Sequence, residues 1–171
     1  ADSAIRTPSA PGVSREAVPP TAAAGGPRQR LGSWVLPAPE GTYGPLPAWS
    51  SAAAWFDAVM DALRTPEGEE ARRAAKVAPD TLLRVAYADR AAADQATGRG
   101  VATAHETVAA ALGMSAKTVQ RSRQLLEALG LAVTVAEGRY LTTAERQEAQ
   151  RRHGGHQVRA ASTRALTMPA A

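Results

Sequence analysis

The chain has 171 residues, a formal net charge of +4, a pI near 10.1 and no cysteine. Disulfides, thiol catalysis and Cys-based zinc sites are thereby excluded, and the basic balance favours an anionic partner. No run of about 18 apolar residues offers a membrane-spanning helix, and the opening ADSAIRTPSAPGV has no apolar signal-peptide core, so a cytoplasmic protein without a membrane partner is expected.

Residues 1–49 are rich in Pro and Gly and show no hydrophobic period, so they predict a disordered arm. Trp34, Val35 and Leu36 form an apolar island within it, expected to touch the folded part locally. Order is predicted from Ser50-Ser51, either of which can cap a helix carrying Trp55, Phe56, Val59, Met60 and Leu63 at helical spacing. That stripe is expected to be core or a homodimer interface through residues 51–64. Thr65 and Pro66 open a second helix, with Glu67, Glu69 and Glu70 near its positive end. Residues 50–78 thus form an N-terminal helical segment.

A third helix is predicted over 80–93, followed by a loop broken by Gly98 and Gly100. The punctuation then becomes dense. Residues 103–112 predict a short helix and Gly113-Met114-Ser115 a turn. Residues 116–129 predict a longer helix, capped by Ser115 and stopped by Gly130. Helix, Gly-containing turn and helix make the helix-turn-helix pattern. Val108, Ala109, Leu112, Met114 and Val119 are the small or apolar positions for the crossing. Leu125, Leu126 and Leu129 extend the apolar side, and Ser122 occupies the last core site as a polar exception.

The opposite face carries Ser115, Ala116, Lys117, Gln120, Arg121 and Gln124, flanked by Thr118 and Arg123. Arg and Lys suit guanine acceptors, Gln suits adenine, and a helix N-terminus attracts phosphate. Thr118 and Arg123 are expected to touch the DNA backbone. Residues 112–164 hold nine basic and four acidic side chains, whereas residues 51–111 hold seven and nine. The positive charge therefore lies with the motif and its C-terminal extension, as an electrostatic footprint requires. The stretch 131–142, LAVTVAEGRYLT, predicts two strands joined at Glu137-Gly138. Arg139 at its tip is placed for a minor groove or phosphate, and Tyr140 for sugar or for stacking on the strand.

Residues 101–142 resemble the winged-helix family, whose recognition helix reads S-x-x-T-V-x-R followed by L-x-x-L-G-L. Here these are Ser115, Thr118, Val119 and Arg121, then Leu126 and Leu129-Gly130-Leu131. The resemblance implies a mainly α winged helix-turn-helix over 79–143, with a small β-hairpin wing, extra N-terminal helices and the disordered arm. It also implies a double-stranded DNA partner. The Arg-rich tail, ending STRALTMP, is similar to the DNA-binding part of replication-associated proteins of actinobacterial plasmids and integrative elements. That second resemblance implies origin binding or a partition role. A transcriptional regulator with the same surface, or a winged-helix adaptor docking on a protein, are the alternatives.

Thr142-Thr143-Ala144-Glu145 matches a capping box and opens a last polar helix to about His153, within a basic extension over 144–171. Arg146, Arg151, Arg152, Arg159 and Arg164 fit a phosphate-tracking arm as well as they fit a solvated end. His153 and His156 have no third ligand cluster nearby, so no metal is expected, and no cofactor. Asp57, Asp61, Asp80, Asp89 and Asp94 are read as helix-surface residues. With no phosphate loop or nucleophile elbow, no enzyme is expected. The absence of an initiator Met and the end at MPAA fit a piece of a longer protein.

Overall fold

A computed structural model describes residues 34–169. Six helices are present among the described residues: α1 (Ala52–Arg64), α2 (Pro66–Ala75), α3 (Pro79–Ala92), α4 (His105–Leu112), α5 (Ala116–Ala128) and α6 (Thr143–His153). The four short strands are β1 (Ala132–Ala136), β2 (Arg139–Tyr140), β3 (Arg159–Ala160) and β4 (Thr163–Leu166). The mainly helical class is as expected.

The helix starts follow their caps. Ser51 Oγ accepts from the Ala54 amide at 3.0 Å and Thr65 Oγ1 from Gly68 at 3.0 Å. Gly68 is required there, because a Cβ would lie 1.8 Å from the Ala62 carbonyl oxygen at the α1–α2 corner. Trp55 and Val59 of α1 are fully buried against Leu82, Leu125, Leu126, Leu131 and Leu166. The Trp55 indole donates to the Leu131 carbonyl at 3.0 Å, which satisfies its one polar atom. The α1 stripe is therefore intramolecular core, and a dimer interface built on Trp55 and Val59 is not open to a second chain.

A second cluster of Val85, Val108, Ala109 and Val119 fills the contact between α3, α4 and α5. Ala109 and Val119 are the small and apolar crossing positions that the helix-turn-helix pattern required. Gly113 closes α4 at φ +67°, the left-handed conformation that costs glycine little. Ser122 is fully buried as expected of a core site, and its hydroxyl donates to the Thr118 carbonyl at 2.8 Å.

Two expectations are overturned. The hairpin over 131–142 does not form. β1 pairs antiparallel with β4, Ala132 opposite Leu166 and Thr134 opposite Arg164, while β2 pairs with β3, Arg139 opposite Ala160. After an irregularity between Thr134 and Ala136, the register is the same in both ladders. Ala136 faces Thr163, and three residues further on Arg139 faces Ala160. The two ladders thus continue one another as a two-stranded ribbon, with α6, in its predicted place, connecting β2 to β3. The cause lies at Gly138. It does not adopt the positive φ of a tight hairpin turn. Its missing side chain instead admits the opposite strand, since a Cβ would meet the Ala160 oxygen and the Ser162 nitrogen, both at 2.9 Å.

The second correction concerns the arm. Order begins well before residue 50. Leu36 is buried with Leu141, Ala149 and Ala160 beneath α6. The Trp34 amide donates to Gln157 Oε1 at 2.7 Å, and Gln157 Nε2 returns a bond to the Trp34 carbonyl. The apolar island is thus held by local contact with the folded part. Trp49 is buried against Trp55, with ring centroids 6.0 Å apart, and Ala48 bridges to Thr167. Apolar anchors at 36 and 49 override the Pro- and Gly-rich composition between them. The rest of the predicted arm, residues 1–33, lies outside the described residues.

Candidate nucleic-acid interface

The face of α5 begins at its cap. Ser115 Oγ accepts from the Thr118 amide at 3.1 Å and lies 2.8 Å from Thr118 Oγ1. Ala116 is half-buried against the α4–α5 core, which brings the first turn close to its partner helix. Lys117, Gln120 and Gln124 are exposed, and Arg121 is half-exposed. They recur at three- and four-residue spacing, so they share one side of the helix. Neither Lys117 nor Arg121 forms an ion pair among the described residues. Gln120 and Gln124 border a cavity of about 190 Å³ whose far wall is Thr134, Glu137 and Ser162 of the ribbon.

Arg123 does not belong to this face. It is 3% exposed, and its guanidinium points inward. Nη2 donates to Asp89 Oδ1 at 2.7 Å and to Thr103 Oγ1 at 2.9 Å. Nη1 donates to the Thr103 carbonyl at 2.8 Å and to His105 Nδ1 at 3.0 Å. A backbone-phosphate role for Arg123 is replaced by a buried structural one. Because an arginine only donates, His105 Nδ1 must accept, and its ring is neutral with the proton on Nε2. Burial, and then the Arg123 charge, hold the His105 pKa below its ordinary value.

Arg164 enters the same cluster from β4. It is also 3% exposed, and its Nη1 donates to Asp89 Oδ2 at 2.9 Å while Nη2 donates to the Arg123 carbonyl at 3.1 Å. It cannot serve a phosphate-tracking arm. Asp89 is fully buried rather than on a helix surface. It lies one and two turns beyond Val85 and Leu82 on the buried side of α3, so the helical period carried the signal for it. Arg123 likewise stands four residues after Val119 and three before Leu126, both buried. Nothing in the sequence marked Arg164, which lies in a strand buried on both faces.

Arg139 and Tyr140 are exposed on β2, beside α6 rather than at the tip of a short wing. Arg139 makes a two-pronged pair with Glu145 at 2.8 and 3.0 Å, and this bond raises its pKa and lowers that of Glu145. The Arg159 guanidinium lies 4.7 Å from the centre of the Tyr140 ring. On α6, Arg151 and Arg152 both pair with Glu148. The Thr142 cap is in place, accepting from the Glu145 amide at 3.3 Å.

No group of three or more metal-ligating side chains occurs among the described residues. No described helix is long and apolar enough to cross a membrane. Comparison with protein-family models, curated proteins and solved structures gives no match to the chain.

Proposed function

We propose that the chain binds double-stranded DNA through α5, with Lys117, Gln120, Arg121 and Gln124 facing the major groove and Ser115 and Thr118 at the phosphate near the helix start. The supporting observation is that Lys117 and Arg121 stand on the accessible side of the second helix of a helix-turn-helix pair without a carboxylate partner among the described residues. The third cation on α5, Arg123, is turned inward. An Arg or Lys left unpaired on such a face is available to base edges and phosphates. Arg139 and Tyr140 on the ribbon, with Arg159, supply secondary backbone contacts. A replication-initiator or partition role on a bacterial mobile element rests only on the resemblance of the tail, and a transcriptional regulator would use the same surface.

The test is DNA affinity against salt, on random duplex and on fragments from the gene's own neighbourhood. A steep salt slope and preference for one fragment, both reduced in a Lys117→Ala/Arg121→Ala double variant, are expected. Origin repeats in the preferred fragment would assign replication, and a promoter palindrome transcription. No binding at low salt removes the reading. It would turn attention to the apolar cavity of Phe56, Leu83, Tyr87 and Leu112 as a protein-docking place.

A further inference from the structure

Behind α5, between the start of α4 and the ribbon, lies a cavity of about 360 Å³. Thr103 to Glu106 form one wall, Arg123 the floor, and Arg159 to Ser162 with Arg164 the other wall. The 190 Å³ cavity beside Gln120 and Gln124 shares His105, Arg123, Ser162 and Arg164 with it. Three cations line the larger space, against one carboxylate, Glu106. The buried Asp89 carboxylate faces two guanidiniums at once.

The two buried arginines differ in one respect. Arg123 uses all its N–H groups on Asp89, Thr103 and His105. Arg164 does not. A guanidinium carries five N–H donors, and among the described residues only the bonds to Asp89 and to the Arg123 carbonyl are made. Its Nε stands 3.6 Å from Glu127 Oε1, an ion pair too long to be a hydrogen bond. Arg164 lines both cavities, so the donors it does not use within the protein are open to whatever fills that space. Ser162 adds to this. Its Oγ accepts from the Gly138 amide at 2.8 Å, and its own proton has no acceptor among the described residues. Arg159 lines the rim and is exposed.

We infer that this cavity is a site for a phosphate group carried by a small molecule, its oxygens accepting from Arg164 and Ser162 within and from Arg159 at the rim. Arg164, Arg159 and Ser162 line one space and together offer more donors than a carboxylate can accept, which suits a phosphate with its several oxygens. The volume exceeds that of a bare ion and falls in the range of small-ligand pockets. The walls are α4, α5 and the ribbon, so occupancy fixes the spacing between the proposed DNA-reading helix and the ribbon. Binding itself does not rest on the DNA reading.

The test is an NMR titration of the isotopically labelled full chain, without DNA, using inorganic phosphate and separately adenosine monophosphate, with chloride at matched ionic strength as control. Saturable shifts confined to residues 103–106 and 159–164 and to the Arg164 Nε signal are expected. Arg159→Gln should weaken binding roughly tenfold, and Ser162→Ala by a smaller factor. Both variants leave the Asp89 pairings intact, so they test the site even if Arg164→Gln does not fold. Tighter binding of the nucleotide supports a phosphorylated metabolite, and equal binding supports the free ion at the same donors. Absence of saturation, shifts centred on Lys117 and Arg121, or unchanged affinity in both variants overturns the inference.

Discussion

The two sides of α5 treat the same side chain in opposite ways. Arg121 stands on the accessible side with no ion pair among the described residues, while Arg123, two residues on, is buried and paired with Asp89. Two residues on an α-helix turn a side chain by about 200°, so neighbours in sequence become opposites in environment. On the open side a cation keeps its hydration and is free to meet an external anion. On the closed side it must be matched, and Asp89, Thr103 and His105 together match it. Charge count alone does not distinguish an open cation from a buried strut. Direction on the helix does.

The largest expected effect comes from breaking the closed side. Asp89→Ala leaves Arg123 and Arg164 as buried cations without their carboxylate and should lower the unfolding free energy by about 3–5 kcal/mol, read from denaturant melts. A loss under about 1 kcal/mol would mean that the cluster is solvated and that the contrast between the two sides is false. On the open side, Arg121→Ala should leave stability within about 0.5 kcal/mol yet cost about 1–3 kcal/mol of affinity at a specific DNA site. Equal weakening on every sequence would reduce Arg121 to a phosphate contact.

Ser115→Ala removes the cap that starts the proposed reading helix and should cost about 1 kcal/mol of stability, again by denaturant melts. The smallest effect is a pH dependence. His105 has its pKa lowered in the folded state, so on acidification the unfolded chain takes up this proton first. Stability from this group is therefore full above the ordinary pKa near 6.5 and declines as pH falls through it toward the lower folded value. His105→Asn keeps an acceptor for Arg123 but does not titrate. Its melting temperature should fall less than that of the wild type between about pH 7.5 and 5.5. Parallel curves would show that His105 carries no pH-dependent stability.

Much of the helical part was legible in the sequence because its signals are local. Ser51, Thr65, Ser115 and Thr142 cap the helices that begin beside them, and Gly113 makes the left-handed stop. Each of these acts within four residues, where the chain has few alternatives. The outward-facing members of the candidate site, Lys117, Gln120, Arg121 and Gln124, followed from the same periodicity. That periodicity also marks Asp89 and Arg123 as buried, but their charge argues for the surface. Their partnership cannot be seen from either one alone.

Strand pairing was beyond reach. The segment 131–142 reads as a hairpin because Glu137-Gly138 is a good local turn, yet β1 pairs with β4, about thirty residues away. A turn signal competes only with what the rest of the chain offers. Here β4 offers four consecutive buried residues, with Leu166 fully enclosed. Composition, caps and helical period thus determined the helices and the outward face of α5, because those depend on neighbours in the chain. Tertiary structure alone decided the ribbon, the burial of Arg164 and the cavity behind α5. Those rest on contacts between residues far apart in sequence, and burial there sets which charges must be paired.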